Sequence, residues 1–166
     1  FFREPFRWLY TIIALLNILA PFYLIYKAIE IGVLDFPFKL VFGLLLFWLV
    51  FAFNSWVSFQ LWWDRKSKVS AVSTEGEDFI ATPVYSHFIQ TVGEWVGTTI
   101  AIMGSLGVLI LMIFGLGQMV PSTSIAALGL FGVIYFPLIG FLIIITSRFL
   151  AEQVRALVSV ANNTRK

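Results

Sequence analysis

Four long apolar stretches alternate with polar segments along the chain, at residues 8–26, 40–63, 95–116 and 125–147. A helix needs about 20 mainly apolar residues to cross the hydrocarbon layer of a membrane. Each stretch reaches about that length and contains few or no charged residues. The pattern therefore predicts four transmembrane helices.

The short connections between these stretches indicate two hairpins. Residues 27–39 join the first two spans and include Gly32 and Pro37, which favour turns. Residues 117–124 join the last two spans and carry no charge. Because both connections are short, we expect the two spans of each pair to run antiparallel.

A longer polar tract separates the two pairs and completes the predicted organisation. We expect an all-α fold, an integral membrane four-helix bundle made of two transmembrane hairpins with a cytoplasmic helical extension. The predicted units, in chain order, are a first hairpin at residues 1–63, a polar cytoplasmic linker at 64–87 that ends in an interfacial segment, a second hairpin at 88–147, and a cytoplasmic C-terminal helix at 148–166.

The positions of the basic residues predict the orientation. Lysines and arginines that flank spans are retained on the cytoplasmic side during insertion. With four spans, Lys27 and Lys39 fall on one side of the membrane and the other nine basic residues fall on the opposite side, so we expect both termini in the cytoplasm. These nine are Arg3, Arg7, Arg65, Lys66, Lys68, Arg148, Arg155, Arg165 and Lys166.

The composition excludes several classes of protein. Hydrophobic residues make up 60% of the chain and charged residues 12%, whereas soluble domains contain about 45–50% and about 25%. A soluble globular domain is therefore excluded. The chain has no cysteine and a single histidine, His87, which excludes disulfides, thiolate metal sites and haem held by two of its own histidines. We expect no catalytic residues, cofactor, metal or nucleic-acid partner, since the basic residues lie where topology alone places them.

Small residues recur at every fourth position of the third predicted span. Gly93, Gly97, Ala101 and Ser105 align along one helical face, and small residues at this spacing let two helix backbones approach closely in lipid. The pattern predicts a helix interface. It leaves open whether the partner helix belongs to the same chain or to another subunit.

Glu94 is the acidic residue at the start of the third span. An ionisable group within a membrane is by default a candidate proton or ion site. However, Glu94 lies at the cytoplasmic end, where Arg148 begins the exit of the antiparallel fourth helix. We therefore favour a structural ion pair between Glu94 and Arg148 over proton transfer.

The end of the chain resembles a bacterial family of small two-span membrane proteins that is known as a domain of unknown function. The resemblance covers residues 81–166. It implies a bacterial inner-membrane protein and no particular activity. The residues that carry it are Thr82, Pro83, Arg148, Glu152, Asn163, Thr164 and Arg165.

Three functional hypotheses follow from these features. The preferred one is a non-catalytic membrane subunit or scaffold of a larger inner-membrane complex, which contacts lipids and either other integral membrane subunits or further copies of itself. The alternative is a transporter or channel component that uses Glu94 as its proton- or ion-coupling group. A third, an enzyme acting on lipid, would require Asp64, His87 and Glu94 to meet at one depth.

Overall fold

The computed structural model describes residues 3–69, 81–115 and 129–164, and this part of the chain is almost entirely helical. A π-helical segment at Ile100–Gly104 joins the helices Ala81–Thr99 and Ser105–Phe114, so these two helices form one continuous span. The predicted connection at 117–124 and the middle of the polar tract, 70–80, lie outside the described residues. The helices are α1 (Arg3–Glu30), α2 (Phe38–Lys68), α3 (Ala81–Thr99), α4 (Ser105–Phe114) and α5 (Gly129–Thr164).

All four spans are long and apolar enough to cross a membrane, with mean hydropathies between 1.9 and 2.3 in their most apolar windows. The predicted all-α fold with four such helices is confirmed. The third and fourth spans contain 34 and 36 residues, or about 50 Å at the usual rise of an α-helix, which exceeds the roughly 30 Å of a hydrocarbon core. Both helices therefore extend well beyond a single membrane crossing.

The third span begins earlier than its hydropathy suggests. The sequence places residues 64–87 in a polar linker with an interfacial end, but the structure continues α2 to Lys68 and starts α3 at Ala81. Pro83, Val84 and His87 are buried. These residues are helical because the first turns of α3 pack against α1, α2 and α5, ahead of the more apolar part of the sequence.

The helices form two hairpins that lie side by side. α1 packs along α2, and the third span packs along α5, while α2 joins the hairpins through its contacts with α3 and α4. At one end of the molecule, which we call the charged end, lie the start of α1, the end of α2, the start of α3 and the last turns of α5. At the opposite end, a short 3₁₀ turn at Val33–Asp35 connects α1 to α2.

The distribution of side chains is inverted relative to a soluble protein. Large apolar side chains along all four spans are exposed, whereas several small polar side chains are buried between helices. Water-soluble proteins bury most such apolar groups, but a lipid environment accepts them on the outside. The buried polar and charged residues are Asn54, Ser55, Ser58, Ser86, His87, Thr91, Glu94 and Ser147.

The small-residue face of the third span packs against α5 of the same chain. A Cβ atom added at Gly97 would lie 2.5 Å from the carbonyl oxygen of Gly140, and one added at Gly93 would overlap Ser147. A Cβ atom at Gly140 would lie 3.0 Å from the Cβ of Ala101. Only glycine permits this approach, and the partner helix left open by the sequence is α5.

Ser105 extends the same contact at its other end. Its hydroxyl donates a 3.0 Å hydrogen bond to the backbone carbonyl of Val133. The structure therefore brings all four small residues of the predicted interface to α5. Since α5 covers this face, the face is not available to a second subunit.

A pair of matched glycine substitutions tests this packing. Gly97→Ala places a methyl group against the backbone of α5, and we expect a loss of about 1–3 kcal/mol in the free energy of unfolding. Gly107→Ala is the control, because its Cβ would meet only Phe47, at 3.4 Å. Thermal unfolding in detergent measures both variants. Equal stability of the two would contradict the proposed backbone contact.

Candidate functional site

A cluster of buried apolar residues lies at the charged end. It contains side chains from α1, α2 and α3 and from the residue that follows α2, surrounded by partly buried aromatic residues such as Phe88 and Trp95. Exclusion from water drives apolar burial, whereas lipid tails offer no such gain between helices. A core at this end is therefore consistent with contact with water there. Its buried members are Tyr10, Ala14, Trp62, Val69 and Val84.

Glu94 of α3 is the centre of the polar contacts at this end. The residue is only 4% exposed. Its Oε1 accepts a 2.8 Å hydrogen bond from Nε of Arg148 and a 3.1 Å bond from the amide of Gln90, while its Oε2 accepts one from Arg65. One carboxylate thus links α2, α3 and α5.

The two arginines differ in their access to solvent. The side chain of Arg65 is 21% exposed and that of Arg148 is 54% exposed. A buried carboxylate is tolerated when it is paired and hydrogen-bonded, and here both oxygens have cationic partners. Because the arginines remain partly hydrated, the arrangement avoids the full cost of burying three charges.

The sequence singled out Glu94 with Arg148, and the structure places these two side chains in direct contact. Arg65 was not identified as a partner. It comes at the end of α2, and Glu94 comes near the start of the predicted third span, so the two occupy the same depth. A comparison of charged residues at the same predicted depth, across both hairpins, would have identified this pair.

Gln90 extends the network to a third arginine. Its side-chain oxygen accepts a 2.6 Å bond from Arg155, which also donates to the hydroxyl of Ser86 at 3.3 Å. Arg148 and Arg155 are two helical turns apart and so lie on the same face of α5. The network therefore fixes the last part of α5 against α3 at the charged end.

Tyr10, His87 and Thr91 form a second buried group, between α1 and α3. The Thr91 hydroxyl donates to the His87 carbonyl at 2.8 Å, so it accepts from the Tyr10 hydroxyl at 3.2 Å. The Tyr10 oxygen is then free to accept from Nδ1 of His87 at 3.0 Å. This order of donors places the histidine proton on Nδ1 and leaves Nε2 as a bare acceptor.

Two further bonds join α2 to α3. The indole N–H of Trp95 donates to Ser58 at 3.1 Å, and the amide of Asn54 donates to Thr99 at 3.5 Å. Together with the ion pairs, these bonds supply a hydrogen-bonded seam along the junction between the hairpins. Such interhelical bonds contribute about 0.6 kcal/mol each in a membrane, enough to select one register.

The residues required by the lipid-enzyme hypothesis are not brought together as a triad. Asp64 is exposed at the end of α2, whereas His87 and Glu94 are buried in α3 with different partners. Within residues 3–69, 81–115 and 129–164, no three His, Cys, Asp or Glu side chains are grouped so that they could hold a metal ion.

No protein family, curated protein or solved structure matches this chain. The resemblance of residues 81–166 to the two-span bacterial family therefore stays a prediction. The arrangement around Glu94 has the geometry of a junction between helices.

Substitutions at the junction test its structural role. We expect Glu94→Gln to lower the free energy of unfolding by about 2 kcal/mol, because two arginines lose their charged acceptor. Arg65→Gln should cost less, and Arg148→Gln less than about 1 kcal/mol, since Arg148 is the more exposed of the two. Unfolding in detergent, followed by tryptophan fluorescence, measures this order.

Glu152→Gln serves as the control, because it makes the same substitution at an exposed position of α5. It should leave stability unchanged. A Glu94→Gln variant as stable as this control would contradict a structural role for the carboxylate.

Proposed function

We propose that this chain is a non-catalytic integral membrane subunit or scaffold of a larger complex in a bacterial inner membrane. Four helices of spanning length and their outward-facing apolar side chains support insertion into lipid. In this proposal the charged end lies in the cytoplasm, so both termini are cytoplasmic. Lys27 and Lys39 then flank spans on the far side, in agreement with the bias of basic residues toward the cytoplasm.

The small-residue face does not serve for assembly, because α5 of the same chain covers it. A partner has to use another surface. The surface that best fits this role is the last part of α5, from Arg148 to Thr164, which continues beyond the predicted span.

Exposed apolar side chains on this extension carry the proposal. Leu157 is 69% exposed and Val160 is 60% exposed. A groove of about 320 Å³ lies beside them, between α5 and Thr82 at the start of α3. Lipid accounts for exposed apolar groups along the spans, but in cytoplasmic water a contiguous apolar patch is typical of an interaction site. We therefore assign the extension as the surface that docks a partner subunit.

The transporter alternative receives less support from the site. A coupling carboxylate has to bind and release a proton or an ion, whereas both oxygens of Glu94 are engaged by arginines from neighbouring helices. Releasing either arginine would remove a contact between two helices and leave the buried carboxylate with one cationic partner. This geometry favours a fixed structural ion pair.

Affinity purification from membranes in a mild detergent, with mass spectrometry of the bound proteins, tests the proposal. We expect wild-type protein to retain at least one partner, and Leu157→Glu to lose most of it because a charge enters the apolar patch. Ser159→Glu adds the same charge at an exposed position on another face of the extension and should retain the partner.

Two results would overturn the proposal. One is wild-type protein that is monomeric and carries no other protein, and the other is equal retention of the partner by Leu157→Glu and Ser159→Glu.

A further inference from the structure

A cavity of about 540 Å³ lies between α2, α4 and α5, away from the junction at Glu94. Phe47 borders it on α2, Gly104 and Gly107 on the third span, and Phe136 on α5. Gly107 leaves part of this space unfilled, because a Cβ atom added there would meet only Phe47, at 3.4 Å, whereas Gly104 lies directly against the Phe136 ring. Thr99 is the polar residue of the lining, so the cavity suits a hydrocarbon occupant.

The third span forms the longest wall of the cavity. Its lining extends from Thr99 to Leu111, which corresponds to about 18 Å along a helix. The π-helical segment contributes Ile100, Met103 and Gly104 to one wall, and π-helical turns often occur at functional sites. Leu44 and Phe47, on the α2 wall, are also exposed at the outer surface. The cavity is therefore open to the surroundings beside α2.

Among the described residues, Lys39 lies near the end of the cavity that is farther from the charged end. Nζ of Lys39 would be 3.6 Å from a Cβ atom added at Gly115, so the lysine reaches the end of α4. Gly43 lines the cavity one helical turn after Lys39, and Leu111 lines it one turn before Gly115. Lys39 and Gly115 therefore lie about one turn beyond the lining. An apolar cavity with a positive charge near one end is complementary to an anionic amphiphile.

We propose that this cavity holds one acyl chain of an anionic phospholipid, whose phosphate group pairs with Lys39. The inference rests on the proposed insertion into a membrane and adds a lipid-binding site to it. A fatty acid has the same chemistry, but a phospholipid matches the structure better. The opening beside α2 lets one chain enter while the second chain stays in the surrounding bilayer.

Native mass spectrometry after reconstitution tests the site. The protein is placed in nanodiscs of equal parts phosphatidylglycerol and phosphatidylcholine, then released into detergent, and the retained lipids are counted. We expect one phospholipid for each chain, with phosphatidylglycerol favoured about fivefold, the effect of one lysine on an anionic lipid. Lys39→Gln should remove this preference. Lys27→Gln, a substitution on the same side but away from the cavity, should keep it.

Filling the cavity provides a second and independent variant. Gly107→Leu directs a side chain into the cavity, where only Phe47 lies within 4 Å of the added Cβ, and it should lose the retained lipid. Leu109→Phe enlarges an exposed position of the same helix outside the lining and should keep the lipid. Both variants are checked by thermal unfolding.

The proposal is overturned if wild-type protein retains no phospholipid, or if Lys39→Gln keeps the preference for phosphatidylglycerol. Displacement of the phospholipid by equimolar oleate would show that the site takes a free fatty acid, which also overturns it. Recovery of the protein in nanodiscs and retention of its protein partner are separate measurements. A failure of the lipid site is therefore distinguishable from a failure of membrane insertion or of the scaffold function.

Discussion

The fold depends on one buried carboxylate that receives two arginines from two different helices. Glu94 belongs to the third span, Arg65 to α2 and Arg148 to α5, so this contact joins the two hairpins and also closes the second one. The pairing places constraints on all three helices, because none of them can slide or rotate without leaving a buried charge unpaired. The remaining polar contacts at this end extend the same junction.

Different interactions hold the helices together at the charged end and along the spans. At the charged end, aromatic side chains such as Tyr10 and Trp62 pack edge to face with ring centroids 5.0 Å apart, as in the core of a soluble protein. Along the spans, glycines allow the third span and α5 to approach closely, a kind of packing that joins helices in lipid. α2 and α4 lack a comparable small-residue contact, and the large cavity lies along this looser side.

The sequence was sufficient to predict the features that have a periodic or compositional signal. Hydropathy located the four helices, the four-residue spacing located the face around Gly97, and the position of Glu94 near a span end indicated its ion pair with Arg148. The start of α3 was not predicted because residues 81–87 are too polar to be read as part of a span. They are helical through contacts made by His87 and its neighbours with other helices.

The partners of the buried polar groups also could not be predicted from the sequence. Tyr10 and His87 are 77 residues apart, and Arg65 and Glu94 are 29 residues apart, so neither pair leaves a local pattern. Accessibility of single cysteines tests the central arrangement most directly, because the chain has no cysteine of its own. In spheroplasts of an expressing bacterium, a membrane-impermeant maleimide should label Leu34→Cys, but should label Ser67→Cys and Leu157→Cys only after permeabilisation. Labelling of Ser67→Cys or Leu157→Cys in intact spheroplasts would contradict the account.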